Sequence, residues 1–489
     1  MAREEDVPED TVTHDAVVIG GGPGGYATAF RAAARGLDVA LVEEAEVGGV
    51  CLHRGCIPSK AILHVAGVLE EANRADSLGL RLRVEGVDGE GLDAFRAGVI
   101  RRLHKGLDHL ADARTTRYHG RGRVHPASDG DHLVVEVTDA GGATTHLAAP
   151  HVVIATGSRP RTLDALPVDG EVVQTSDEAL WFTTAPERAV IVGAGAIGVE
   201  FASMWAPMGT HVTLVEALDR VLPLEDADSS AALTDAYRRR GIEVLTSAVV
   251  RGASVDAGVA QVDVEVDGQP RALTADRVLV AVGRSPNSAE VGLAELGVLD
   301  ERGHVVTDPW GATEVAGLWA VGDVCPTLAL AHAAFAEGLV VGDRIAAVEG
   351  VAPVDHTHTP RVTYSHPEVA SVGLTEAQAV ERFGRDRVVG TTTSLQGNAK
   401  AIIAGSGGSV KVVHLSGEAP VGAPGDGGPV LGVHVVGPQA TELIAAATLA
   451  TTWDAVPTEL AAIPHVHPSL SEAIGEAYLA AAGLPLHGV

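Results

Sequence analysis

The sequence predicts an α/β protein: two Rossmann-like dinucleotide-binding domains followed by an α+β C-terminal domain. Three observations carry this. The order strand, glycine-rich turn, helix, strand, acidic residue occurs twice, near residues 14–43 and 189–216. A segment with two cysteines separated by four residues follows the first of these units. Beyond residue 362 short strand-like segments and two helices appear without any dinucleotide motif.

The totals are compatible with this. A chain of 489 residues is too long for a single core, so about three or four domains are expected. Apolar residues make up 46% and aromatics only 3%, so the core is expected to be Val, Ala, Leu and Ile, and 58 glycines allow many close backbone approaches. A formal charge of −29 would be repelled by nucleic acid and by anionic membranes, so neither is expected as a partner. No run of about 18 apolar residues exists to span a membrane. Residues 1–13 are acidic and lack a signal-peptide core, so a disordered N-terminal segment and a cytoplasmic location are expected. Three cysteines do not make a secreted disulfide scaffold, and no metal site is expected because four clustered N/S ligands are not seen.

In the first unit, residues 14–19 read as a buried strand running into Gly20-Gly21-Gly22-Pro23-Gly24-Gly25. A helix to residue 35 and a strand at 38–42 follow, ending at Glu43. Gly20 makes the turn, Gly22 lets backbone approach a pyrophosphate, and Gly25 lets helix and strand pack. The helix N-terminus attracts phosphate, and Glu43 would accept from ribose hydroxyls. Helices are expected at 61–75 and 92–113, strands at 116–124, 132–137 and 151–155. The last strand ends in Thr156-Gly157 and returns the chain to the first sheet. This domain is expected over 14–158.

The second unit, 159–284, repeats the pattern. A strand at 189–192 enters Gly193-Ala194-Gly195-Ala196-Ile197-Gly198, and a strand at 211–215 ends at Glu216. The acid lies equally far from the first glycine in both units. A carboxylate at Glu216 would repel a 2′-phosphate, so NAD is preferred over NADP, with Arg220 close by as the one opposing feature. Pro207 falls inside the expected helix and would kink it. A strand at 278–282 leads into Gly283, and a strand at 318–321 into Gly322-Asp323, where the Asp is by itself an ordinary turn residue. Cys325, a lone thiol beside a proline, reads as inert packing. Residues 285–354 form a central segment, and 355–489 the C-terminal domain, with strands at 410–414 and 431–436 around a Gly/Pro-rich loop at 418–429. Its helices are expected at 441–453 and 469–482.

Two clusters carry chemistry. In Gly48-Gly49-Val50-Cys51-Leu52-His53-Arg54-Gly55-Cys56-Ile57-Pro58-Ser59-Lys60, regular helix would hold the cysteine Cα atoms about 8–9 Å apart. A disulfide needs roughly 4.4–6.8 Å. Bridging therefore requires distorted backbone, for which Gly48, Gly49 and Gly55 give freedom. A reducible redox pair and two idle thiols both fit the spacing. In His467-Pro468-Ser469-Leu470-Ser471-Glu472, Pro468 fits the first position of a helix, with His467 at its cap and Glu472 in its first turns. Glu472 could orient the imidazole as a general base, although a capping histidine beside a surface glutamate is the commoner arrangement.

Together these residues resemble the class I pyridine nucleotide–disulfide oxidoreductases, most closely their dihydrolipoamide dehydrogenase branch, from His14 to His487. The resemblance implies that Cys51 and Cys56 form a redox-active disulfide, with Cys51 as the interchange thiol and Cys56 facing the flavin. It implies FAD at Gly20, Gly22, Gly25, Glu43, Lys60, Gly122, Thr156, Gly157, Asp323 and Ala331. NAD would lie at Gly193, Gly195, Ile197, Gly198, Glu216, Val249 and Gly283. Lys60 and Glu200 would form an ion pair near the flavin. His467, held by Glu472, would reach the disulfide of the other subunit of a homodimer, making the C-terminal domain a dimerisation domain. The implied reaction is oxidation of dihydrolipoamide through the disulfide and FAD with reduction of NAD⁺. The implied partners are lipoyl domains and the E2 core of 2-oxo-acid dehydrogenase complexes. Glutathione-reductase-like relatives carry a tyrosine where Ala196 stands and arginines where Ala217 and Pro223 stand. Mercuric reductases end in a cysteine pair absent here, and soluble transhydrogenases lack the redox cysteines. A reductase of another small disulfide, and a flavoprotein serving mainly as a binding subunit, are the remaining rivals.

Overall fold

The computed structural model describes residues 10–126, 132–417 and 427–487. Most of the expected 1–13 segment, much of the 418–429 loop and the last two residues lie outside the described residues. Of the N-terminal segment, Val12–Thr13 pairs in parallel with Leu147 and Ala148. The chain forms two compact units, Met1–Ala61 with Glu90–Arg161 and Arg284–His356, and Ile62–Gly89 with Thr162–Gly283 and Thr357–Val489.

The first unit is built on a parallel five-stranded sheet. Its order is Leu318–Ala320, His151–Ile154, Ala16–Ile19, Val39–Glu43 and Thr116–His119. Strand alternation sorts its side chains onto two faces. Ala16 and Val18 pack with Ala29, Phe30, Val341 and Ile345, the apolar sides of the helices Pro23–Ala34 and Ala331–Ile345. Val17 and Ile19 pack the other way, against Val124, Val135, Val137 and Leu147. Those residues belong to a second sheet of Arg121–Pro126, Leu133–Thr138, Thr144–Ala149 and Val12–Thr13. The single strand expected at 116–124 is therefore two strands in two sheets. Gly120, at φ 154° and with Thr138 O only 2.5 Å from where a Cβ would stand, makes the break.

The second unit contains a parallel sheet ordered Val173–Gln174, Arg277–Val280, Arg188–Val192, His211–Val215, Glu243–Leu245. An antiparallel meander, Ala248–Asp256, Val259–Val266 and Gln269–Ala275, was not anticipated from sequence. It packs Ala260, Val262 and Val264 onto Val190, Val192 and Val278. The unit continues as an antiparallel sheet, Arg361–Thr363, Glu368–Gly373, Val430–Gly437, Ser409–Leu415, Val388–Ser394. The helices Ala440–Thr452 and Ser471–Ala481 bury Ile444, Ala447, Ile474 and Ala477 against it. Pro207 ends the helix Ala196–Trp205 rather than kinking it: a 3-10 turn, Ala206–Met208, takes over, since proline has no N–H to continue the ladder.

Candidate active site and nucleotide loops

The two glycine loops are built alike. Gly20 has φ 106° and Gly193 φ 102°, and a Cβ on either would stand 2.3 Å from a carbonyl of the neighbouring strand, Ala155 O or Ala281 O. A Cβ on Gly25 or Gly198 would meet the carbonyl of that first glycine at 1.8 or 1.9 Å, so only glycine lets each helix start against its strand. The middle glycines differ. Gly22 and Gly195 are helix N-caps without a side-chain cap, and no atom lies within 4 Å of where their Cβ would be. That leaves uncapped helix N-termini facing open space, the arrangement a pyrophosphate fits.

Each acid braces its own loop. Glu43 accepts from Gly21 N–H at 2.6 Å and Ala45 N–H at 2.8 Å. Glu216 accepts from Ala194 N–H at 2.7 Å and Leu218 N–H at 2.9 Å. Both carboxylates are thereby fixed and keep acceptor capacity for ribose hydroxyls. Arg220 turns toward Pro223 O, at 3.5 Å. Val249 is half-exposed beside the second acid, because Ala248 N–H donates to Glu216 O at 2.9 Å. Ile197 lies in the first turn of its helix, and Gly283, at φ 112°, has open space around it. In the first unit, Gly122 is buried against Ile19. Thr156 donates to Asn287 O at 2.6 Å, and Gly157 accepts from Asn287 N–H at 2.9 Å. Asp323 accepts from the Ser158 hydroxyl at 2.6 Å, and Ala331 opens the helix Ala331–Ile345. Gly322 N–H is held by Glu337, at 2.6 Å.

The cysteine segment is two helices rather than one: Gly49–Arg54 carries Cys51, and Cys56–Asn73 begins at the second cysteine. Gly48 and Gly49 take φ 112° and 56°, and Gly55 breaks the helix at φ −138°, ψ −106°. The distortion brings the thiols together. A hydrogen bond with Cys56, then burial and the charge of Cys56, pushes the Cys51 thiol well above the usual thiol range, opposed by the Lys60 ammonium. Both cysteines are partly accessible, whereas Cys325 is buried in the core, where burial and then Glu337 and Asp323 push its thiol up. Tyr26, one residue beyond the third glycine, was not singled out from sequence. Its phenol is pushed up to about 12 by burial and by the charges of Cys51 and Cys56. Only packing reveals this, since nothing in its local sequence distinguishes it.

In the second unit, His467 Nδ1 lies 2.7 Å from Glu472 Oε1, and Ser469 N–H donates to Glu472 Oε2 at 2.7 Å. The Ser469 N–H first, and then His467, hold the Glu472 carboxyl below the usual carboxylate range. Pro468 is not the first residue of the helix, which begins at Ser471; Glu472 reaches back to Ser469 and closes the turn ahead of it. The His467 side chain is 78% exposed. Glu200 is buried and accepts from Tyr364 N–H at 3.0 Å. Among the described residues no group of three or more His, Cys, Asp or Glu could hold a metal ion, and no helix is long and apolar enough to cross a membrane.

This fold and this thiol pair define a class, and comparison with known families gives it. Residues 14–338 match the pyridine nucleotide-disulphide oxidoreductase family, and 359–478 match that family's dimerisation domain. The chain belongs to this family, whose reactions use FAD and NAD, and its dimerisation domain supports a homodimer. The relatives it resembles carry a more particular name. It is 38% identical to the dihydrolipoyl dehydrogenase of Bacillus subtilis, over 97% of this chain and 99% of that one. It is 39% identical to the dihydrolipoyl dehydrogenase of Rhizobium etli, again over 97% and 99%. The crystal structure of LpdA from Mycobacterium tuberculosis superposes with a TM-score of 0.85 at 27% identity, covering 96% of this chain and 99% of that chain.

Proposed function

We propose that the protein is an NAD-dependent dihydrolipoyl dehydrogenase, oxidising protein-bound dihydrolipoamide through Cys51 and Cys56. The observation that carries this is the contact of those two thiols across the broken helix, beside Lys60, in a chain with two matched nucleotide loops. Family membership and the full-length likeness to dihydrolipoyl dehydrogenases support it. The first loop, with Glu43, Gly122, Thr156, Gly157, Asp323 and Ala331, takes FAD; the second, with Glu216, Val249 and Gly283, takes NAD. Bound FAD supplies the two-electron link between the dithiol and NAD⁺.

The chain's own residues do the thiol chemistry. With His467 Nδ1–H donated to Glu472, Nε2 carries the lone pair and takes the proton from a dihydrolipoyl thiol. The resulting thiolate attacks the Cys51 sulfur of the oxidised pair, forming a mixed disulfide and releasing the Cys56 thiolate. The second lipoyl thiolate then attacks the bound lipoyl sulfur, closes the lipoyl ring and releases Cys51. Lys60 lies close enough for its charge to favour the Cys51 thiolate, and its ion pair with Glu200 belongs to this reading. So does the homodimer in which the exposed His467 serves the partner's disulfide. So do the domain limits 14–158, 159–284, 285–354 and 355–489, the lipoyl domains and E2 core as partners, and a cytoplasmic location.

The test is direct. The purified protein should carry flavin absorbance and form NADH from NAD⁺ with dihydrolipoamide, far faster than it reduces NADP⁺ or glutathione disulfide. Absence of NADH formation with dihydrolipoamide would overturn the reading.

A further inference from the structure

Cys51 stands just after two consecutive glycines with positive φ, Gly48 and Gly49, a backbone with little stiffness of its own. The turn is pressed against the first nucleotide loop: Gly48 N–H donates to Gly21 O at 2.8 Å, and a Cβ on Gly49 would lie 2.8 Å from Gly22 Cα. Any looseness here moves the Cys51 sulfur, yet a disulfide tolerates only a narrow geometry.

Two histidines converge on this turn. The His53 Nε2 lies 3.0 Å from the carbonyl of the fully buried Val47. A carbonyl oxygen only accepts, so Nε2 carries the hydrogen. That bond closes a ring over residues 47–53, with Cys51 inside it. His104, from the helix Gly89–Arg114, meets His53 edge-on with ring centroids 5.2 Å apart and an interplanar angle of 68°. Its Nδ1 lies 3.4 Å from the same Val47 O, and its Nε2 lies 3.0 Å from Glu46 Oε2. Glu46, His104, His53 and Val47 O thus form one connected brace on the turn.

We infer that His53 and His104, anchored by Glu46, are positioning residues that hold the Val47–Gly49 turn and so fix the Cys51 sulfur against Cys56. The inference rests on the proposed redox role of the pair. Releasing the brace lowers the effective concentration of one sulfur at the other and leaves the disulfide easier to reduce. Formation of the disulfide removes two electrons and two protons from the dithiol and passes them to oxidised dithiothreitol, which becomes the reduced dithiol.

The test equilibrates the flavin-loaded full-length protein in anaerobic buffers of reduced and oxidised dithiothreitol, alkylates free thiols, and reads Cys51 and Cys56 by mass. His53→Ala and His104→Ala should each shift the couple about tenfold toward the dithiol, ~30 mV for two electrons. They should lower kcat with dihydrolipoamide while leaving KM for NAD⁺ unchanged. His53→Gln, which keeps an N–H donor, should restore most of the wild-type position. An unmoved couple in both alanine variants overturns the brace, and so does a His53→Gln variant that shifts as far as His53→Ala. A wild-type protein whose cysteines never form a disulfide in the most oxidising buffer overturns the redox reading itself, and this inference with it.

Discussion

At the scale of single residues the chemistry depends on which neighbour each group keeps. Cys51 and Cys56 need each other, since neither alone can store an electron pair as a disulfide. Replacing either with serine should lower NADH formation from dihydrolipoamide by more than about a thousandfold, measured by steady-state kinetics. His467→Gln should cost about 10²–10⁴-fold in kcat while leaving flavin content intact, because it removes the base and not the relay. Glu472 gives a pH prediction with a definite sign. Its carboxyl is held below the usual range in the folded protein. The bonds it makes are therefore fully present above the ordinary carboxylate value and are lost as pH falls through the lower, folded one. Glu472 should therefore remain ionised across neutral pH, as its carboxyl carbon shift in an NMR titration would report.

At the scale of elements the two strand–turn–helix units are interchangeable in geometry, so what distinguishes them must lie in what surrounds each turn. Gly198→Ala would force a methyl to within 1.9 Å of Gly193 O. The helix must shift, and NADH should bind at least about tenfold more weakly by fluorescence titration, with flavin content unchanged. Gly25→Ala should do the reverse, lowering flavin occupancy. Glu216→Gln keeps an acceptor but removes the charge that repels a 2′-phosphate. The preference for NAD⁺ over NADP⁺ in kcat/KM should narrow by about tenfold.

Two predictions belong to the whole molecule. Lys411 is buried with its Nζ 2.9 Å from each of Asp226, Asp228 and Glu376, so it joins the helix Ala227–Arg239 to the sheet of the dimerisation domain. Burial opposes the charge on Lys411, but its bonds to Asp226, Glu376 and Asp228 outweigh this and push it up. Burial likewise opposes Asp226, which Lys411 and backbone N–H groups hold below the usual range. The cluster's stabilisation is lost above the raised lysine value or below the depressed aspartate value, and stays flat across neutral pH. Lys411→Met should cost about 3–5 kcal/mol in urea unfolding, and adding Asp226→Asn should recover much of it. The proposed sharing of sites between subunits has its own test. Cys56→Ser and His467→Gln homodimers should each be nearly inactive, but after unfolding and remixing together about a quarter of wild-type activity should return, because each mixed dimer keeps one complete site. No recovery would place His467 in its own subunit's site.

The sequence by itself determined what is local. The spacing of Gly20, Gly22 and Gly25, repeated at Gly193, Gly195 and Gly198, dictates its own backbone, because the steric need for glycine is met within one turn. Around Gly48, Gly49 and Gly55 the sequence allowed the distortion, and it allowed the pairing of His467 with Glu472 five residues on, without deciding either; the structure shows both. Tertiary structure alone decided what is brought together from afar. Tyr26 comes within the electrostatic influence of the cysteines, His104 crosses from a distant helix to Val47, and Lys411 finds Asp226 185 residues away. The helix start at Ser471 was misplaced for a related reason: a proline permits a first helical position, but Glu472 reaching back to Ser469 closes a turn there and starts the helix two residues later. In the meander Ala248–Ala275 only the middle strand, Val259–Val266, alternates buried and exposed residues; the flanking strands are largely exposed and are defined by pairing with it. Short-range sterics are written in the order of residues, whereas long-range contacts depend on which buried surfaces meet, and only the folded chain decides that.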